Sequence, residues 1–263
     1  MSDTIRIEQL TIGYRRTARK TPVAVATGLN ATLMPGRLTC LLGRNGIGKS
    51  TLLRTVTGYQ RPLEGRVCIG NLNLHAVSKS RRARLVSVVL TEKTDTDRLT
   101  VAELVAMGRH PYTGFWGTLG DNDRQIVDRS MQLLGITGLS QRLIGNLSDG
   151  ERQKVMIAKA LAQQTDSIIL DEPTAFLDYP SRIEMMEMLA RLAREQQKNI
   201  LVATHEWDLA RQLSDQLWLM TSATNGQTVL ETGTPEELRS TPMLQPFFTI
   251  GRQENADPCT KEM

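Results

Sequence analysis

The stretch Gly43-Arg44-Asn45-Gly46-Ile47-Gly48-Lys49-Ser50-Thr51 follows directly on the apolar run Leu38 to Leu42 and leads into a helix-like segment. This is the spacing of a phosphate-binding P-loop, in the strand, turn and helix setting that such a loop requires. Glycines let the backbone wrap a phosphate chain with its N–H groups pointing inward, and the positive end of the helix beginning near Lys49 faces the same anion. Lys49 is placed to reach the β and γ phosphates, and Ser50 to bind Mg²⁺.

Working outward, two further apolar runs, Ser167 to Leu170 and Ile200 to Thr204, end on Asp171 and His205. Short apolar runs alternating with amphipathic stretches are the rhythm of βαβ units, so the expected class is α/β with a largely parallel sheet. Polar groups then gather at the carboxyl edge of that sheet, where loops converge on one crevice. Asp171 at a strand tip can hold Mg²⁺ through water, and Glu172 can polarise an attacking water. Alone, this acidic pair reads equally as a helix cap; beside a P-loop the chemical reading prevails.

Between these runs, from about Thr100 to Gln163, strand signals fade, and TVAELVAMG and DRQIVDRSMQLLG read as helices with an apolar stripe. The segment from Ser2 to about Val86 is strand-rich, and after Gly226 come a strand-like QTVLETG and a helix start at Thr234-Pro235-Glu236-Glu237. We expect one domain over residues 1–251, with an inserted helical subdomain over roughly 92–163 and a polar tail over 252–263. No internal repeat or low-complexity tract is present.

Leu147-Ser148-Asp149-Gly150-Glu151 stands just before a helical stretch, Arg152 to Gln163, so Ser148 and the N–H groups after it form a second helix-terminal anion site. With Asp171-Glu172-Pro173-Thr174, Phe176-Leu177-Asp178 and His205 beyond, the ordered set resembles the nucleotide-binding subunits of ABC transporters. The resemblance covers nearly the whole chain and implies a P-loop NTPase fold with a RecA-like core, an antiparallel β subdomain and an inserted helical subdomain. It implies that ATP lies against Gly43 to Thr51, and that Ser148 and Gly150 touch the γ-phosphate held by a second copy. Two ATP molecules would then be sandwiched in a homodimer. By the same resemblance Asp178 links the two sites, His205 hydrogen-bonds the γ-phosphate and helps fix the water, and Tyr14 stacks on adenine.

Two positions depart from the family pattern. Where related subunits carry a Gln that contacts Mg²⁺ and senses the membrane partner, the register places Thr91, with Glu92 beside it. In the signature segment Asp149 and Glu151 replace a Gly and a Gln, so two carboxylates stand near a polyphosphate and must point away from it or cost affinity.

The stretch Thr100 to Tyr112 and the ending GTPEELRSTPMLQPFF are similar to subunits that energise bacterial uptake of iron-siderophore, haem or cobalamin. The resemblance implies integral-membrane permease subunits as partners, a substrate-binding protein acting indirectly, and a peripheral place on the cytoplasmic side of the inner membrane. Residues 112–117, with Tyr112, Phe115 and Trp116, are a contiguous apolar cluster expected to help receive the permease. The alternatives are an ABC-type ATPase for another cargo, one acting on nucleic acid or ribosomes, and a metabolic P-loop kinase. The second group usually carries paired units, coiled coils or zinc modules, none present here, and a kinase would leave the signature segment and His205 without work.

Composition agrees. The chain has 263 residues, enough for one sizeable core, with 40% hydrophobic and 23% charged residues. Aromatic residues make up 4%, which argues against a stacking surface for single-stranded nucleic acid, and no nucleic-acid partner is expected. A net charge of +4 selects no partner, and the basic runs at 15–20 and 79–84 read as solvated loops or helix faces. No apolar stretch is long enough for a membrane-spanning helix and the start lacks a signal-peptide layout. Cys40, Cys68 and Cys259 fit neither a disulfide framework nor a metal motif, which points to a reducing cytoplasm.

Overall fold

The computed structural model describes residues 3–15, 22–90, 96–114, 117–223 and 226–239. In chain order the strands are β1 Ile5–Tyr14, β2 Val23–Leu33, β3 Leu38–Gly43, β4 Glu64–Ile69, β5 Leu72–Asn73, β6 Val86–Val89, β7 Ser167–Asp171, β8 Asn199–Ala203, β9 Gln216–Ser222 and β10 Thr228–Gly233. The helices are α1 Lys49–Val56, α2 Lys79–Arg82, α3 Val101–Ala106, α4 Asp121–Leu133, α5 Asp149–Ala162, α6 Tyr179–Glu195, α7 Trp207–Leu213 and α8 Pro235–Arg239. None of them is long and apolar enough to cross a membrane.

The strands form a single sheet in the order β5-β4-β1-β2-β10-β9-β3-β8-β7-β6. From β9 through β6 every pairing is parallel, whereas β1 pairs antiparallel with both β2 and β4. The parallel strands read as near-continuous apolar runs because both of their faces are covered. Leu38, Cys40 and Leu42 of β3, Ile200 and Val202 of β8, and Ile168 and Leu170 of β7 join one core with α3 to α6. The alternate residues Leu41, Leu201, Ala203, Ile169 and Trp218 join a second core with α1 and the antiparallel strands. The period of two along each strand thus divides the molecule into two cores with the sheet between them.

Helices α3, α4 and α5 pack on one another, and α5 also lies on β6. α3 starts at a reciprocal cap in which Glu103 N–H donates to Thr100 Oγ1 and Thr100 N–H donates to Glu103. Arg109, 3% exposed, holds this helical region to the end of α5. It donates to Ala162 O at 2.7 Å, to Gln164 Oε1 at 2.9 Å and to Asp123 Oδ1 at 2.8 Å.

Lys79, Arg81 and Arg84 of the basic run at 79–84 are exposed, as expected of a solvated face, whereas Arg82 is half-buried. Arg82 donates to the carbonyls of Leu74 and Gly58, and Arg84 donates twice to Pro111 O, so both side chains close chain turns. Tyr112 likewise is not an open apolar surface. Its ring lies under the guanidinium groups of Arg109 at 4.1 Å and Arg84 at 5.0 Å, and its hydroxyl donates to Gln163 O. Phe115 and Trp116, with Thr91, Glu92, Cys259 and the tail over 252–263, lie outside the described residues. Cys40 and Cys68 are buried free thiols, and burial pushes that of Cys40 up to about 12, which leaves it unreactive.

Candidate nucleotide-binding and hydrolysis site

β3, β7 and β8 are adjacent and parallel, so their carboxyl ends deliver three chemically distinct groups to one edge of the sheet. Beyond β3 the chain turns through residues 44–48 and enters α1 at Lys49, with Gly48 as the residue before the helix. Gly46 and Gly48 have φ of 81° and 116°, the left-handed region where only glycine is unstrained. Lys49 is 8% exposed, and its ammonium donates to Gly43 O at 2.7 Å, closing the loop on itself. Burial pulls this ammonium below its usual range, while the carboxylates of Glu172 and Asp171 act in the opposite direction. Lys49 and Glu172 thus act on each other's charge at this edge of the sheet.

Asp171 is the last residue of β7, and Glu172 follows with φ of 48°, a conformation a non-glycine residue adopts only under constraint. Its N–H donates to Ala203 O at 2.9 Å, so the last residue of β8 fixes the turn. Burial raises the Glu172 carboxyl above the usual carboxylate range, and its neighbours His205 and Lys49 pull it back. His205 Nδ1 lies 2.9 Å from Glu172 Oε2.

Glu206 plays a part that its sequence gave no cause to suspect. Thr174, 1% exposed, donates to Glu206 Oε1 at 3.0 Å, and Arg182 stands 3.4 Å from the same oxygen. Arg182 also donates to Leu177 O, so the residue after His205 anchors the whole turn from Thr174 to α6. Such a contact joins positions far apart in the chain, and no local pattern signals it. Asp178 caps α6 by accepting from Ser181 N–H at 3.0 Å, and bonding to Ser181 holds its carboxyl below the usual range.

Tyr14, at the end of β1, is half exposed, and its hydroxyl is 2.9 Å from Thr51 Oγ1, which ties the β1 edge to the first turn of α1. Ser148 caps α5 and is exposed, and the half-buried Gly150 has room beside it: a Cβ there would meet only Leu177 Cδ2 at 3.8 Å. Within this one chain, no contact of Ser148 with the P-loop is seen among the described residues.

A family model described as ABC transporter matches residues 26–175, more than half of the chain. The chain belongs to the ABC transporter family. The iron(3+)-hydroxamate import ATP-binding protein of Bacillus subtilis is 33% identical over 99% of this chain and 93% of its own. A cobalamin import ATP-binding protein of Halobacterium salinarum is 34% identical over 88% of this chain and 57% of its own. Among solved structures, a putative metal-chelate type ABC transporter in an inward-facing conformation superposes with a TM-score of 0.77 at 26% identity, over 94% of this chain and 89% of that one. The expected ABC-type α/β fold is therefore borne out, and this ABC subunit is an ATP-binding, ATP-hydrolysing component of transport.

Proposed function

We propose that this ABC subunit energises an importer for an iron-siderophore, haem or cobalamin, and that it works as a homodimer closed on two ATP molecules. The observation that carries the pairing is that Ser148 is exposed at the start of α5, with Gly150 beside it, and among the described residues makes no hydrogen bond to this chain's own P-loop. The positive end of a helix is suited to a phosphate supplied from outside the chain. The cargo reading rests on the iron(3+)-hydroxamate and cobalamin relatives and on the metal-chelate type structure.

In this reading the backbone of Gly43, Arg44, Asn45, Gly46, Ile47 and Gly48, with Thr51, surrounds the phosphates, and Lys49 neutralises them. Tyr14 offers its half-exposed ring to adenine. Among the described residues no group of three or more His, Cys, Asp and Glu gathers to hold a metal. Ser50 and Asp171 supply hard oxygen donors of the kind Mg²⁺ takes when phosphates and water complete its shell, and the bound ion would neutralise phosphate charge. Glu172, its carboxyl raised by burial, orients and deprotonates the attacking water, while His205 holds Glu172 and meets the γ-phosphate. Thr91 as a further metal contact remains a sequence-based expectation. Closing on ATP and opening after hydrolysis would then drive a permease between its two states at the cytoplasmic membrane face, with a substrate-binding protein delivering the cargo.

A groove of about 480 Å³ between α1, α2, β6 and α5 is suited to the permease. Tyr59 is 71% exposed at its edge, and Lys79, Arg82 and Lys159 line it without any lining carboxylate. Burial lowers the Lys159 ammonium below its usual range. A cytoplasmic segment of the permease carrying an acidic side chain complements this groove.

The pairing is tested with Glu172→Gln, which keeps the fold and removes the base. With ATP and Mg²⁺ this variant should run as a dimer by light scattering, and adding Ser148→Ala should weaken that dimer. A Glu172→Gln protein that stays monomeric with ATP bound would contradict the reading.

A further inference from the structure

The Ser148 hydroxyl is already engaged. Ser148 Oγ is 3.0 Å from Glu151 Oε2, the Ser148 N–H donates to the same oxygen at 2.8 Å, and the Glu151 N–H donates to Ser148 Oγ at 3.3 Å. A serine hydroxyl has one proton, and an ionised carboxylate can only accept, so that proton points at Glu151. Bonding to Ser148 keeps the Glu151 carboxyl below the usual range, hence ionised at neutral pH. The sequence left two outcomes for this carboxylate, and it does not point away: it lies against the group proposed to meet the γ-phosphate.

The cations around it compensate only in part. Arg142 Nη1 is 3.4 Å from Glu151 Oε1, but Arg142 is exposed and its Nη2 donates to Asn146 O. Lys154, one turn further along α5, is held by Glu184 at 2.7 Å. Asp149 beside Ser148 adds a second, exposed carboxylate. A reciprocal cap of this kind is satisfied equally by a neutral Gln, so the cap does not require the negative charge. What the charge adds is repulsion toward an incoming polyphosphate.

We propose that Glu151 is a positioning residue that opposes ATP-driven pairing: its carboxylate withholds the Ser148 hydroxyl and repels the nucleotide held by the second copy. The proposal rests on the paired reading above. It makes the strength of pairing a property set by the Glu151 and Arg142 pair, with two copies of each acting in every dimer.

The test measures the dimer dissociation constant by analytical ultracentrifugation with Mg²⁺ and ATP, in the Glu172→Gln background. Glu151→Gln keeps an oxygen to accept from the Ser148 N–H and hydroxyl, so its melting temperature without ATP should match the background. Pairing should become about tenfold tighter or more, and the gain should shrink as salt rises, because only the charge has changed. Arg142→Gln, which removes the counter-ion, should weaken pairing. Equal dissociation constants in background and Glu151→Gln, or a gain that salt leaves untouched, would overturn the proposal while leaving pairing intact. Absence of any ATP-dependent dimer in the Glu172→Gln background would overturn the paired reading and this proposal together.

Discussion

His205 Nδ1 lies 2.9 Å from Glu172 Oε2, a contact that joins the turns after β8 and β7. The two turns are locked a second time by the Glu172 N–H donating to Ala203 O, so the geometry of the acid does not depend on the histidine alone. The histidine is left to set the acid's proton affinity, and it lowers what burial raises.

His205→Ala should therefore move the acid limb of the residual ATPase rate to higher pH, because Glu172 must be ionised to act as a base and one of the groups that favours ionisation is gone. The turnover rate should fall by about tenfold or more, in the range typical of losing an oriented general acid–base partner. Stability carries the opposite sign. The folded chain holds a proton on Glu172 more tightly than the unfolded chain, so the contribution of this group is full below the ordinary carboxylate range and declines as pH rises through the raised value. Glu172→Gln should flatten that decline in melts recorded across the acid range. An unmoved acid limb in His205→Ala would separate the two residues.

Gly48 and Gly46 should respond differently to alanine although both have positive φ. A Cβ on Gly48 would stand 2.6 Å from Val25 Cγ1, whereas on Gly46 it meets nothing within 4 Å. Gly46→Ala should cost only the strain of its backbone conformation, about 1–2 kcal/mol, but its methyl would occupy the space proposed for phosphate. Gly48→Ala adds overpacking, about 1–3 kcal/mol more. Denaturant titration without nucleotide should rank them in that order, and a larger loss in Gly46→Ala would contradict the geometry.

Tyr14→Phe removes the hydroxyl contact with Thr51 and keeps the ring. It should cost about 0.5–1.5 kcal/mol of stability and leave ATP affinity near normal, while Tyr14→Ala should weaken ATP binding several-fold if the ring stacks on adenine. Equal ATP affinity in the Ala and Phe variants by titration calorimetry would remove Tyr14 from the nucleotide site.

The strands β3, β7 and β8 were legible in the sequence because each is a short apolar run with a marked end: the glycine-rich turn opening at Gly43, Asp171, and His205 just past β8. The helices of the inserted region were legible from their stripes and, for α5, from Ser148 just before it, whereas the Thr100 cap of α3 was not read. What the chain order hides is contact between distant segments. Glu206 reaching Thr174 and Arg182, and Tyr112 between Arg84 and Arg109, depend on how turns meet, and neither leaves a periodicity to read. Within the run at 79–84, largely exposed as expected, the backbone-carbonyl partners of Arg82 and Arg84 are likewise not visible in a list of residue types.

Lys159→Glu places a carboxylate where the groove presents cations. Reconstituted with its permease, this variant should lose most of the stimulation of ATPase activity that the permease gives, while the isolated subunit keeps its own rate. Normal stimulation would place the permease elsewhere.

The central claim is that hydrolysis needs two copies, and the rate per chain as a function of concentration tests it most directly. Mg-ATP turnover by the isolated wild-type subunit, measured across a wide concentration range with molecular mass followed in parallel, should rise more steeply than linearly with protein. A rate per chain that stays constant over the whole range, with the protein monomeric throughout, would contradict the account.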